Sequence, residues 1–279
     1  MGVLNVTPDS FSDGGRFADA GVAVAHAREM VEAGASLIDI GGESTRPGAL
    51  RVSAEMQIER VLPIIEAIVK ENLPCVLSID TTRAAVARTA LGAGVRLIND
   101  ISAGLDDPEM LPLAASARAP IVLMHMQGQP TTMQDKPTYV DVVAEVETAL
   151  RERAAAAIKS GVPPADILLD PGIGFGKTMQ HNLELLRNVS RFAAIGYPLL
   201  LGTSRKGFLG RISGETEPTG RVMATAASVA WCIANGASMV RVHDVEPMVR
   251  VVKVIQAIRD GLPDQKQEPG RTSCVMNRT

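Results

Sequence analysis

Apolar and polar positions along the chain fall into a repeating unit. A run with helical spacing ends in a small residue and a glycine, and after a short gap come four or five apolar residues closing on a polar one. Ala33-Gly34 precedes a strand ending at Asp39, and Ala93-Gly94 precedes 95–99. Ser160-Gly161 precedes 167–170, Ile195-Gly196 precedes 199–202, and Asn235-Gly236 precedes 239–243. Glycine just past a helix end takes the left-handed conformation without side-chain cost, so each pair reads as a helix stop. Two more strands, 76–80 and 121–125, follow Pro74 and Pro120, and residues 1–6 supply the first.

Helix signals fill the gaps. The first helix is expected over about 19–33, with Val22, Ala25, Met30 and Val31 inward. Ser53 with Glu55 opens a second, which Pro63 should kink; Asp107-Pro108-Glu109 reads as an N-cap followed by proline; Thr138 and Asp141 open an Ala-rich helix to about Lys159. The last helix spans about 247–260. Residues 127–137 and 204–219 read as long polar loops, and 8–16, with paired glycines and Phe11, as a lid-like loop. Eight strands, each followed by a helix, predict an α/β fold: a single-domain (β/α)8 TIM barrel over 1–261, with 262–279 as a disordered tail.

Composition narrows the class. Of 279 residues 46% are hydrophobic, 21% charged and only 3% aromatic, so Val, Ile, Leu, Ala and Met must build the core, as parallel strands under helices require. A net charge of -3 without a basic stripe argues against nucleic acid, and no apolar run is long enough to span a bilayer. Three widely spaced cysteines fit reduced thiols, with the cytoplasm as the expected compartment and no zinc site implied.

In such a barrel the carboxyl ends of the strands meet on one rim. That rim would gather Asn5, Asp39, Asp80, Asn99, Met124-His125, Asp170, Ser204-Arg205-Lys206, Arg241 and His243. It would also hold Gly41-Gly42-Glu43-Ser44-Thr45-Arg46-Pro47-Gly48, a loop whose glycines and proline forbid regular structure. Asp80, Asn99 and Asp170 in an apolar wall need a cation or a ligand with donors. A flat heterocycle with an amino-pyrimidine edge offers two parallel N–H groups to one carboxylate, and Lys206 its ammonium to a ring carbonyl. Arg46, Arg241 and His243 form a second group, of opposite sign, suited with Asn5 and a divalent ion to a departing polyanion such as diphosphate. Each acid, taken singly, is also explicable as an ion pair of the barrel mouth. The segment Gly172-Ile173-Gly174-Phe175-Gly176-Lys177-Thr178 imitates a nucleotide loop, yet its glycine spacing fits neither Walker A nor the dinucleotide fingerprint. It is read instead as a turn that positions Asp170 and lets backbone pass close to a ligand, with Lys177 outside the site.

Together with 5–15, 41–48, 99–101 and 124–128, the stretches 170–177, 204–206 and 241–244 resemble bacterial dihydropteroate synthase from the first residue to about Asp260. The resemblance implies condensation of 6-hydroxymethyl-7,8-dihydropterin diphosphate with para-aminobenzoate, Mg2+ present, by a homodimer that sulfonamides target. It places Thr45, Asp80, Asn99, Asp170 and Lys206 on the pterin, and Asn5 at magnesium. Arg46, Arg241 and His243 would hold diphosphate, and Phe11, Pro47, Ser204 and Lys206 would line the aminobenzoate pocket. Catalysis would then fall to Arg46, Lys206, Arg241 and His243. Departures are few: related chains commonly extend further ahead of the first strand, residues after Gly261 have no counterpart, and Gly207 stands where serine is frequent. The rivals are a methyltransferase barrel binding methyltetrahydrofolate, which has no need of Arg46, and a non-catalytic pterin-binding paralogue.

Overall fold

The computed structural model describes residues 1–6, 15–44, 48–49 and 51–261, of which 15–19 are backbone only. Strands and helices alternate along it: β1 (Gly2–Asn5), α1 (Gly15–Glu32), β2 (Leu37–Gly41), α2 (Ala54–Lys70), β3 (Val76–Asp80), α3 (Ala84–Gly92), β4 (Leu97–Asp100) and α4 (Met110–Ala117). Then come β5 (Ile121–Met124), α5 (Val142–Lys159), β6 (Ile167–Asp170), α6 (Met179–Arg187), α7 (Val189–Ala193), β7 (Leu200–Leu201), α8 (Gly207–Ser213), α9 (Val222–Ala234), β8 (Met239–Val240) and α10 (Val245–Asp260). β1 to β6 form one parallel sheet in sequence order, and β7 pairs with β8. Bridges from Leu169 to Leu199 and from Gly2 to Val242 join the two pieces into a closed ring, with Val3 N–H donating to the Val242 carbonyl at 3.1 Å. The expected eight-stranded barrel is therefore present. The tail expected over 262–279 and residues 8–14 of the lid-like loop lie outside the described residues, while the loop's last two residues, Gly15 and Arg16, instead open α1.

All five helix-stop glycines, Gly34, Gly94, Gly161, Gly196 and Gly236, have φ between +98° and +117°. Ser53 caps α2 by accepting from Met56 N–H, Pro63 sits inside that one helical span, and Asp141 caps α5. Other expectations shift. The buried face of α1 is Ala23, Val24, Ala27 and Met30, while Val22 is 56% exposed: alternating Ala, Gly and Val leave its apolar side weakly marked. Asp107 does not cap α4. Its carboxylate accepts from Ala84 N–H at 2.8 Å and Glu109 N–H at 3.0 Å, drawn to the unsatisfied amides that open α3. The supposed loop over 204–219 holds α8, which burial of Phe208 and Leu209 pins and Gly214 ends at φ +78°.

Alternation along the strands sorts side chains into an outer and an inner set. Ile38, Ile40, Ile79, Ile98, Ile121, Leu123, Ile167 and Leu169 join the main core between sheet and helices. Leu97, Val122 and Leu200 form a separate cluster with Met1, Leu37, Leu168 and Met239 inside the ring. Register extends this inner set upward in layers contributed by alternate strands. Leu37, Leu97, Leu168 and Met239 lie lowest, then Met1, Ser78, Val122 and Leu200. Above them are Asp39, Asn99, Asp170 and Arg241, and at the mouth Val3, Asp80, Met124 and Gly202, with Asn5 and Gly41 just beyond.

Candidate active site

A cavity of about 1000 Å³ opens over the two upper layers. Eight residues singled out in the sequence line it together: Asn5, Asp80, Asn99, Asp170, Ser204, Lys206, Arg241 and His243. Phe11, Thr45, Arg46 and Pro47 lie outside the described residues. The described residues flanking 45–47 are tied to α2. Glu43 accepts from Gln57 Nε2 at 2.8 Å and from Val52 N–H at 3.1 Å, and Thr81 Oγ1 donates to Gln57 Oε1 at 2.9 Å.

The expectation of two separate groups of opposite sign is not met. Arg241 Nε donates to Asp39 Oδ2 at 2.6 Å and its Nη2 to Asp80 Oδ2 at 2.8 Å. Asn99 Nδ2 donates to the same Asp39 oxygen at 2.9 Å. Because β2 runs on to Gly41, Asp39 is not at the rim but fully buried one layer below it, and the nearest guanidinium turns down to it. Its other oxygen, and the Ser78 hydroxyl on the neighbouring strand, have no hydrogen-bond partner among the described residues. Burial pushes the Asp80 carboxyl above the usual carboxylate range, against the pull of Arg241, whose own pKa the two acids raise in opposition to burial. In Asn99-Asp100-Ile101 the roles divide: Asp100 turns away to accept from Ser102 N–H and Oγ and from Gly104 N–H, fixing the turn after β4.

Asp170 Oδ1 accepts from Gly172 N–H at 2.7 Å, as the turn reading required. Burial pushes this carboxyl up to about 6, while that hydrogen bond and Lys206 pull it down. Burial likewise pushes Lys206 down to about 8, against Asp170. The Lys206 ammonium lies 4.2 Å from the centroid of the Phe175 ring, a cation–π contact. Phe175 was not among the predicted site residues; an aromatic between the glycines of 172–176 was the signal for it.

Ser204 Oγ accepts from His243 N–H at 3.1 Å and lies 3.0 Å from His243 Nδ1. With the hydroxyl donating to Nδ1, the imidazole proton sits on Nε2, toward the cavity; with Nδ1 protonated, the hydroxyl accepts twice. Burial and the adjacent Arg241 push His243 down to about 4, so the ring is neutral near pH 7. Between Ser204 and Lys206, Arg205 has φ +59° and donates from Nε and Nη2 to the two Asp244 carboxylate oxygens, at 3.0 and 2.6 Å. Its charge therefore serves the loop rather than the cavity.

Lys177 corrects a prediction outright. Expected outside the site, it lines the cavity and is only 2% exposed. Gly172 does not give a ligand room either, since a Cβ there would run into the His125 carbonyl. Backbone passes backbone at that point.

The rim's acids, amide and lysine are what a flat heterocycle with paired donors needs, and comparison with known proteins agrees. Residues 1–243 match the model of the family described as pterin binding enzyme. A dihydropteroate synthase of Synechocystis sp. is 49% identical over 258 residues, covering 92% of this chain and 89% of that protein. The structure of Xanthomonas albilineans dihydropteroate synthase with 4-aminobenzoic acid superposes with a TM-score of 0.87 at 44% identity, covering 94% of this chain and 93% of that one. The X. albilineans enzyme in complex with 7,8-dihydropteroate gives 0.84 at 41%, with 94% of each chain covered. This chain belongs to the pterin-binding enzyme family and, within it, to the dihydropteroate synthases of folate biosynthesis.

Proposed function

We propose that the cavity joins para-aminobenzoate to 6-hydroxymethyl-7,8-dihydropterin diphosphate, forming a C–N bond and releasing diphosphate and 7,8-dihydropteroate. The observation that carries this reading is the convergence of Asp80, Asn99 and Asp170, from three strand ends, and Lys206, from the start of α8, on one cavity shared with Arg241 and His243. Asp170 and Asp80 accept from the amino-pyrimidine edge, Asn99 pairs with the remaining ring polar atoms, and Lys206 donates to the ring carbonyl. Thr45 adds a hydroxyl contact. Arg46, Arg241 and the Nε2–H of His243 hold the diphosphate as its C–O bond ionises, leaving a cation conjugated with the ring. The arylamine, seated by Phe11, Pro47, Ser204 and Lys206, attacks that carbon and then sheds a proton. No covalent nucleophile takes part, so the protein's work is to position the amine, hold the leaving anion and exclude water.

A magnesium ion suits this arrangement. Among the described residues no group of three His, Cys, Asp or Glu side chains could hold a metal alone. A Cβ at Gly41, however, would lie 3.7 Å from Asn5 Oδ1 and 3.8 Å from Asp80 Oδ2, so two hard oxygens face one spot at the mouth. Mg2+ favours such a site, with few protein ligands and the rest from phosphate and water. When bound, it would neutralise charge on the leaving diphosphate.

A homodimer is supported by exposed apolar side chains on adjacent helices: Met223 and Trp231 on α9, Val254 and Ile258 on α10. Ile258→Glu should sediment as a monomer where the parent protein sediments as a dimer; identical behaviour would remove α10 from the interface. No helix among the described residues is long and apolar enough to cross a membrane, and the free thiols of Cys75 and Cys232 support a cytoplasmic setting.

The deciding experiment follows diphosphate release with both substrates and with each alone. Release that requires para-aminobenzoate and yields dihydropteroate is expected. Pterin binding without turnover would favour the non-catalytic paralogue, and methyl transfer from methyltetrahydrofolate the other barrel.

A further inference from the structure

The segment from Gly172 to Lys177 lies along the backbone that leaves β5. A Cβ on Gly172 would strike the His125 carbonyl, and one on Gly176 the Gln127 carbonyl. Between them, a Cβ on Gly174 would come 2.9 Å from Lys206 Cδ and 3.1 Å from its Nζ. The Lys206 stem therefore crosses Gly174, and its ammonium reaches the Phe175 face at 4.2 Å. Two glycines press the segment onto its support while the third and the phenylalanine carry Lys206.

Lys177 closes the structure. Its Nζ donates to the Phe175 carbonyl at 2.9 Å and to the His125 carbonyl at 3.2 Å, and lies 3.1 Å from His125 Nδ1. Its hydrogen-bond partners are neutral, two of them backbone, and burial pushes the almost wholly buried amine down to about 7, against the pull of the Asp170 carboxylate and with the push of the Lys206 ammonium. An amine held this way, charged or neutral, costs stability relative to an apolar side chain of similar length. Its contacts make sense as a tie between the end of β5 and the residue whose ring lies beneath Lys206. Both carbonyl contacts need only two N–H donors, which a lysine has in either protonation state.

We infer that Lys177 is a positioning residue: by tying Phe175 to His125 it locks 172–177 as the platform on which the Lys206 ammonium rests. Lys177 touches no substrate in this account; it acts through Phe175 on Lys206, at the meeting point of ring and arylamine. The inference rests on the proposed reaction, and turnover by the parent protein under identical conditions separates failure of that reaction from failure of this role.

The test is a double-mutant cycle on Lys177→Met and Phe175→Leu, with circular dichroism and Tm confirming that each variant is folded. Lys177→Met should lower kcat/KM for para-aminobenzoate by about tenfold and displace the alkaline limb of the pH profile that Lys206 sets, and Phe175→Leu, which changes no charge, should displace that limb as well. Because both substitutions disable one platform, the double variant should lose no more than the worse single. Additive losses, or an alkaline limb unmoved by Lys177→Met, would overturn the inference. Should Lys177→Met fail to accumulate folded, His125→Leu removes one side-chain acceptor and leaves both carbonyls. It should give a smaller loss that is also non-additive with Phe175→Leu, and additivity there would overturn the inference equally.

Discussion

Leu37, Leu97, Leu168 and Met239 lie at or next to the start of β2, β4, β6 and β8, and two residues further along each of these segments come Asp39, Asn99, Asp170 and Arg241. Both sets point into the ring, and they are about 6.6 Å apart along each strand. The lower four pack against Val122 and Leu200 as an apolar plug. Of the upper four, three are tied by hydrogen bonds through a single Asp39 oxygen. Strand geometry is shared, so it cannot explain the difference; only access to the mouth can. A layer of apolar side chains packed on one another gains by shedding water, whereas a layer that floors a ligand site must keep polar groups and hold them with one another until a ligand arrives.

Substitution in the upper layer should break activity most. Asp39→Asn keeps the shape but removes the charge that faces Arg241, and its amide must aim an N–H or an oxygen at each former donor. With Arg241 and Asn99 released, kcat/KM should fall by about 10²-fold, as expected when a reacting geometry shifts by an ångström. Removing one partner of a buried pair should also cost about 3–5 kcal/mol of stability. Steady-state kinetics beside denaturant melts checks both. Parental activity in the variant would mean that Asp39 positions nothing.

The lower layer should respond the other way. Leu97→Ala should cost about 2–5 kcal/mol for the cavity it leaves, with kcat/KM within about twofold of the parent while the protein stays folded. A large catalytic loss without a stability loss would erase the division between plug and floor.

Much of this was legible in the chain because each rim residue closes a short apolar run. Asp80, Asn99 and Asp170 could be assigned to a common mouth before any geometry was known, and they share one cavity. Depth was harder to read. Asp39 looked like a strand end because two glycines follow it, yet Gly41 still pairs with Asn5 and Asp80, which sinks the carboxylate one layer. Arg241 was assigned to an anion by its charge; the acids that it meets here come from strands 161 and 202 positions away, a juxtaposition no local pattern encodes. Lys177 was misplaced for a related reason. Its partners are backbone carbonyls and a histidine on another strand, and a carbonyl has no sequence signature. Likewise α8 hid in a polar stretch, since only Phe208 and Leu209 mark its inward face.

The smallest expected effect, and the most discriminating between floor and plug, is the pH dependence of kcat/KM for the pterin substrate. Accepting ring donors requires Asp170 and Asp80 ionised, both of which burial pushes up, and Lys206 gives the ring carbonyl its strong, charge-assisted hydrogen bond only while it is protonated. With Asp170 pushed up to about 6 and Lys206 down to about 8, the profile should be a bell whose limbs fall about tenfold per pH unit outside those values. Unfolding should not be the origin of the acid limb. The Asp170 pKa is raised from 3.8 to about 6 in the fold, so its contribution to stability is complete below 3.8 and lost as pH rises through about 6. Protonating it therefore favours the folded chain while disabling the site. Lys206→Arg, whose guanidinium stays charged, should remove the alkaline limb and leave the acid limb in place. Leu97→Ala, three layers below the mouth, should leave both limbs where they were; a profile flat from pH 5 to 7 in the parent protein would separate Asp170 from pterin recognition altogether.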